Sequence, residues 1–306
     1  MEIPVIKITN VIKDYAGIRA LNGSSLEVNK GEIFGLLGPN GAGKTTTLEI
    51  IEGLIGSDEG VVQVLGDSMP TNAEKIRRRM GVQLQNSSLP VDITVNEAIN
   101  LFSAYRGVNP DPELIELFKL NNFLFKTYDE LSGGQKKSLQ LCLALLHDPE
   151  LIILDEPTSA LDVETRNHLH TIIKGLKEKG KTLILSTHDM SEAESLCDRI
   201  AILIKGEIVV VGSPKEVTAG DSKELKISVK SSKSSILNDP DGTFSNVVKK
   251  HQIDDYCIMH SNNVGQSIME IIKKLEKNQD EIIDFRVERP SLEEKLLELI
   301  GEGVSK

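Results

Sequence analysis

Residues 38–45 read Gly38-Pro39-Asn40-Gly41-Ala42-Gly43-Lys44-Thr45. Glycines at the first and sixth places, followed by lysine and a hydroxyl residue, form a phosphate-binding loop pattern. The residue types suit that chemistry. Glycines let backbone N–H groups converge on phosphate oxygens with no side chain in the way. A helical run, Thr46 to Glu52, follows the loop, so phosphates would lie at a helix N-terminus, where the dipole favours an anion. Lys44 can reach the terminal phosphates, and the Thr45 hydroxyl can ligate magnesium. A second element reads Leu151-Ile152-Ile153-Leu154-Asp155-Glu156. Its apolar residues make a buried strand, and its two carboxylates stand at the carboxyl end, where open α/β sheets bind ligands. Asp155 suits a magnesium partner acting mostly through water. Glu156 suits a base that polarises an attacking water.

The elements that must carry these residues alternate along the first part of the chain. Residues 32–37, 61–65, 81–85, 151–155, 182–186 and 200–204 read as strands, several of them almost wholly apolar, as strands covered on both faces should be. Residues 207–211 follow through Lys205-Gly206 as a hairpin. Thr94 with Glu97, and Ser191 with Glu194, mark helix starts by the capping-box pattern. Between 86 and 148 the strand signal gives way to helical segments at 94–105, 112–120 and 134–147, so a helical insertion interrupts an α/β domain. Near 220 the texture changes. Residues 231–246, rich in Ser, Asn, Asp and Gly, read as a loop in a smaller unit. That unit comprises strands at 225–229, 256–260 and 282–288 and helices at 267–277 and 291–300, the last opened by Pro290 and a Ser291/Glu294 capping box. The fold class expected is α/β.

Composition narrows the functional classes. The 306 residues hold 35 Lys and Arg against 46 Asp and Glu, a net charge of −11, which argues against nucleic acid as a partner. The longest aliphatic run, Leu141 to Leu146, is far short of the ~18 residues of a membrane span, and no secretory leader is visible at the start. Cys142, Cys197 and Cys257 are widely separated and lack metal-ligand spacing, so a reducing compartment without disulfides or structural zinc is expected.

Further motifs stand in order around the two carboxylates. Leu131-Ser132-Gly133-Gly134-Gln135 precedes their strand and Ser159-Ala160-Leu161-Asp162 follows it; His188 follows the next strand, and Gln85 ends strand 81–85. With these, the chain resembles the ATP-binding-cassette (ABC) ATPases, transporter ATPase subunits in particular, over about residues 3–215. The resemblance implies a P-loop NTPase of ABC type at 1–220, with a mixed sheet and a helical subdomain at 86–148, and a small C-terminal α/β domain at 221–306. It implies ATP and magnesium as cofactors. Tyr15 would stack on the adenine, and Gly38 to Thr45 with Thr46 would hold the phosphates. Thr45, Gln85 and Asp155 would serve the metal. Glu156 would be the catalytic base, assisted by Lys44 and Gln85, with His188 meeting the γ-phosphate. Ser132, Gly133, Gly134 and Gln135 would bind the γ-phosphate held by another protomer, and Asp162 would lie on that interface, so hydrolysis implies a head-to-tail dimer. One departure is the run from Lys136 to Leu143, where the family usually places further arginines, and a second, chemically minor one is Thr46 in place of the more frequent serine pattern nearby.

The C-terminal part refines the likeness. Gly212-Ser213-Pro214 with Glu216-Val217, and the terminal Arg289-Pro290-Ser291-Leu292-Glu293-Glu294 run, resemble the bacterial exporter subgroup of drug, lipid and sodium efflux ATPases. That implies a subunit powering export through a separate multi-span membrane permease by ATP-driven dimerisation with a second copy or a homologous subunit. It would work in the cytoplasm, peripheral on the inner face of the cell membrane. The permease groove is expected around Asn86 to Asp92 and the helix 94–105. The alternative is a non-transport ABC-type ATPase that acts on or senses another protein.

Overall fold

The structure is a computed structural model that describes residues 3–85, 89–219, 225–237, 244–289 and 291–303. Two long antiparallel strands, β1 (Ile6–Tyr15) and β2 (Ile18–Val28), open the chain. Then β3 (Ile33–Leu37) runs into the phosphate loop and α1 (Lys44–Glu52). After β4 (Glu59–Val64), β5 (Asp67–Met69), α2 (Ala73–Arg77) and β6 (Met80–Gln83) comes a helical stretch of α3 (Val95–Arg106), α4 (Pro112–Leu117) and α5 (Gly133–Leu145). The sheet resumes with β7 (Leu151–Asp155), α6 (Val163–Glu178), β8 (Thr182–Thr187), α7 (Met190–Leu196), β9 (Arg199–Ile204) and β10 (Glu207–Gly212).

The most apolar runs form one six-stranded sheet in the order β10-β9-β3-β8-β7-β6. Strands β9, β3, β8, β7 and β6 are parallel and β10 is antiparallel, so the sheet is mixed. Every residue of β3, β7 and β8 is buried, which is why these strands read as unbroken apolar runs. A second sheet, β2-β1-β4-β5, closes a core with it through Ile6, Leu21, Leu36, Leu48, Ile153 and Ile184. Each such aliphatic side chain contributes roughly 1.5–3 kcal/mol by leaving water.

Two local expectations are corrected. Strand β6 stops at Gln83, and Gln85 stands in the turn beyond it, not at the strand end. The helix after β8 is capped by Asp189, not Ser191: the Asp189 carboxylate accepts from the N–H groups of Ser191 (2.9 Å) and Glu192 (3.2 Å). A carboxylate in the first turn outcompetes a hydroxyl two places later. The capping box at Thr94 and Glu97 forms as expected, and Ser132 builds another with Gln135 at the start of α5. Strands β1, β2 and β5 carry no clean alternation in the sequence; bulges interrupt the β1 pairings.

The chain divides into two compact units, Met1–Pro214 and Lys215–Lys306. Helix α8 (Pro214–Ala219) stands at the division, and residues 220–224, around the expected boundary, lie outside the described residues. The second unit holds β11 (Leu225–Ser231), β12 (Val247–Ile253), β13 (Tyr256–Ser261), α9 (Val264–Lys277), β14 (Ile282–Glu288) and α10 (Leu292–Gly303). Its strands form an antiparallel sheet, β12-β13-β11-β14, and Ile227, Val229 and Met259 make a core with Ile271 and Leu275 of α9. Ser291 and Glu294 make the expected capping contacts at α10 (3.1 and 3.2 Å); Pro290 lies outside the described residues. Of the Ser-rich run, 238–243 lies outside them too. Its first part is organised by a buried carboxylate. Asp280 accepts from Ser231 Oγ (2.8 Å), Ser232 Oγ (3.1 Å), Lys233 N (2.7 Å) and Ser235 N (2.9 Å).

Candidate active site

Four parallel strands, β3, β8, β7 and β6, present their carboxyl ends side by side, and the loop after each carries a residue singled out in the sequence. The register pairs Leu37 with Thr187 and Asp155 with Ser186, which brings the phosphate loop, both carboxylates and the approach to His188 to one edge. There a cleft of about 510 Å³ is lined by Asn40, Gly41, Gly43, Lys44, Thr45 and Thr46 together with Tyr15, Gln85, Glu156 and His188.

The loop backbone has no room for side chains at its two defining glycines. Gly38 has φ +153°, and a Cβ there would lie 2.1 Å from the Leu203 carbonyl oxygen. Gly43 has φ +105°, with its Cβ 2.6 Å from the Ala20 oxygen. Lys44 folds back over the loop, its Nζ donating to the carbonyls of Gly38 (2.8 Å) and Pro39 (3.1 Å). Burial pushes the Lys44 ammonium below its usual pKa, with Glu156 and Asp155 opposing that shift. A phosphate is a stronger partner for this ammonium than two carbonyls, since the bond becomes charge-assisted on both sides. Ala42 is buried and Pro39 contributes its carbonyl, so these two shape the loop without lining the cleft.

Behind the loop, Thr45 Oγ1 donates to Asp155 Oδ2 at 3.1 Å, and Ser186 Oγ donates to the other carboxylate oxygen. This pairing of a hydroxyl with a carboxylate is an all-oxygen donor set, which suits magnesium. Among the described residues no cluster of three His, Cys, Asp or Glu could hold a metal unaided. An ion that takes most of its shell from phosphate and water needs none.

Glu156 is presented from a left-handed backbone conformation (φ +48°), uncommon for a residue with a side chain and often found at active sites. Its carboxylate is held between two predicted partners: Oε2 accepts from Gln85 Nε2 (2.9 Å), and Oε1 lies 3.0 Å from His188 Nδ1. The three side chains therefore form one hydrogen-bonded set facing the cleft. A carboxylate so placed can accept a proton from a water poised over the phosphates.

The four remaining predicted residues lie elsewhere. Ser132, Gly134 and Gln135 line a separate depression of about 310 Å³ with Asp162, and Gly133 opens α5 beside them. The predicted residues are thus divided between two depressions. Sequence reasoning missed two contributors. Lys137, one turn into α5, donates from Nζ to the backbone oxygens of Gln85 and Glu156 (both 3.4 Å), and burial lowers its pKa. Its signal was present, since it falls among the residues that depart from the family pattern. Ser186, which holds Asp155, gave none: a serine at the end of an apolar strand reads as a strand terminus.

The ABC transporter family profile matches residues 21–159. The "Nod factor export ATP-binding protein I" of Burkholderia orbicola (strain AU 1054) is 40% identical over 220 residues, which cover 70% of this chain and 72% of that protein. The protein of the same name from Rhizobium meliloti (strain 1021) is 38% identical over 238 residues, 72% of this chain and 71% of that one. A dimeric ATP-binding cassette solved with ADP and Pi in a post-hydrolysis state is 30% identical, with a TM-score of 0.63 over 68% of this chain and 98% of that one. The chain belongs to the ABC transporter family, as an ATP-binding subunit with the mixed α/β ABC fold. It is an ATPase.

Proposed function

We propose that this subunit powers export through a separate membrane permease by closing and opening a head-to-tail dimer around two ATP molecules. The observation that carries this reading is the division of the site within one chain. The phosphate loop, Glu156 and His188 share one cleft, whereas Ser132 to Gln135 stand at a helix N-terminus in another. A helix N-terminus with free N–H groups suits an anion, and a second copy can supply it to the first copy's γ-phosphate. The names of the relatives, which are export ATP-binding proteins, support the direction of transport. No described helix is long and apolar enough to cross a membrane, and in this reading a separate permease forms the pathway. The subunit then works at the membrane's inner face. Val91, Leu101 and Tyr105, all exposed, suit the permease contact; Asn86 to Ser88 of that expected groove lie outside the described residues. Residues 215–306 carry none of the phosphate-contacting groups and act as an accessory unit.

Within each cleft, Tyr15 stacks on the adenine, the backbone of 38–45 and Lys44 cradle the phosphates, and Glu156 takes the proton of the attacking water. Gln85 and His188 hold that carboxylate in place and meet the γ-phosphate. Thr45 would hold magnesium together with Asp155 and Gln85, and the ion would supply charge neutralisation to the bound phosphates.

Glu156→Gln keeps the shape and reach of the side chain but cannot accept the proton. Hydrolysis falls by about a hundredfold or more, ATP binding persists, and the subunit becomes dimeric in ATP, because a ligand bound across an interface stabilises the associated state. Sedimentation at high protein concentration, with and without ATP, reads this directly. A variant that binds ATP yet stays monomeric at saturation contradicts the shared site.

A further inference from the structure

One turn beyond His188, a glutamate is turned into the protein. Glu192 of α7 is 3% exposed. Its Oε1 accepts from Thr158 Oγ1 and from His170 Nε2 at 3.1 Å, and Thr187, whose hydroxyl accepts from the Asp189 N–H at 3.0 Å, shares a small cavity wall with it. Because a carboxylate only accepts, His170 must carry its proton on Nε2. Burial pushes the Glu192 carboxyl up, yet hydrogen bonds, from His170 and Thr158 first, outweigh this and hold it below the usual value.

These residues come from separate elements. Thr158 starts the loop that leads to Asp162 at the head of α6, and Thr187 ends β8, directly before His188. His170 lies on α6. One turn earlier on that helix, Arg166 builds an outer bridge between the same two loops. Its guanidinium donates to the Leu161 carbonyl (3.4 Å) and lies 3.6 Å from the Asp189 carboxylate. A small cavity of about 70 Å³ has Glu192, Thr158 and Thr187 on its wall together with Glu156 and His188.

We propose that Glu192 is a positioning residue for ATP hydrolysis, a buried anchor that fixes the loop 158–162 and His188 in one relation. Seating Asp162 against a second copy and presenting His188 to the γ-phosphate then become a single event. The inference rests on the proposed γ-phosphate contact of His188 and on Asp162 lying at the dimer interface, as the family resemblance implies. Removing the acceptor strands the buried Thr158 hydroxyl and the His170 ring N–H, and the loops relax independently. A displacement of about 1 Å at a reacting group is enough to cost on the order of a hundredfold in rate.

The test is steady-state ATP turnover by the full chain, with kcat and KM resolved and thermal midpoints measured alongside. Glu192→Leu, which has no acceptor, and Thr158→Val each lower kcat by about tenfold or more with KM nearly unchanged. Thr158→Ser, which keeps the hydroxyl, recovers most of the loss. The double variant is no slower than the slower single one, because both break the same connection. Should Glu192→Leu fail to fold, Thr158→Val carries the test. Parent kcat in folded variants, or losses that multiply in the double, overturn the proposal, as does a fall in thermal midpoint without a fall in kcat. Lys44→Ala run in parallel separates the two levels: if it too turned over at the parent rate, the site itself would be misplaced and not the anchor.

Discussion

Lys44 is 7% exposed and held only by two carbonyl oxygens of its own loop, so its length and charge serve something other than the fold. Lys44→Ala is expected to leave the thermal midpoint within a few degrees of the parent and to abolish ATP turnover. Turnover at the parent rate by the folded variant would refute the assignment. Glu52, at the end of the same helix, makes the opposite case. It is 2% exposed, its Oε2 has no hydrogen-bond partner, and burial, with Asp155 and Glu49 adding to it, pushes the carboxyl up to about 8. A carboxyl raised on folding holds its proton more tightly in the folded state. Stability is therefore fully present below the unfolded value near 4 and declines as pH rises to about 8. Glu52→Gln removes that slope and raises stability at pH 7 by roughly 3 kcal/mol, while leaving it nearly unchanged at pH 4. Urea unfolding at both pH values checks it, and parallel curves for parent and variant would count against it.

At the scale of elements, the second unit depends on one contact set between distant segments. Asp280 follows α9, yet its carboxylate organises the start of the turn after β11. Burial pushes this carboxyl up, but hydrogen bonds from Ser235, Lys233 and Ser231 more than offset that and hold it well below the usual range. With a depressed value, the stabilisation is present above the unfolded pKa near 4 and is lost as pH falls beneath it. Asp280→Asn turns an amide donor toward backbone donors and is expected to cost about 2–3 kcal/mol near neutrality. The deficit shrinks in acid, a trend that urea melts across pH 3 to 7 would reveal.

The same elements show what a sequence makes legible. Strands β3, β7 and β8, buried on both faces, announce themselves as apolar runs, and Thr94, Ser132 and Asp155 announce the ends of elements by their chemistry. Strands β1 and β2 did not. One face of each meets water and bulges break the period, so alternation survives only in short pieces such as Ile6 to Thr9 and Ser24 to Val28, and no apolar run remains. At the site, contiguous motifs were readable because backbone geometry demands their residue types. Ser186 and Glu192 were not, because their partners are contributed by strands and helices distant in sequence, and Lys137 was marked only as a departure from the family pattern.

At the scale of the molecule, the two depressions that hold Lys44 and Ser132 have a genetic consequence. In the shared-site dimer proposed here, a lesion in the phosphate loop disables a copy's own cleft, but one at Ser132 disables only the neighbour's. Each variant alone assembles pairs in which both composite sites are defective. Mixed, a Lys44→Ala copy and a Ser132→Arg copy build one pair of depressions in which every group is native, opposite another in which both halves are broken. Random pairing of equal amounts makes half the dimers mixed, so roughly a quarter of the sites should be restored from two inactive preparations. Recovered ATPase activity on mixing is the expected result, and its absence under conditions where the subunits exchange would mean that each copy completes its own site. Two recessive defects in this chain would thus complement each other, though both lie in the same gene.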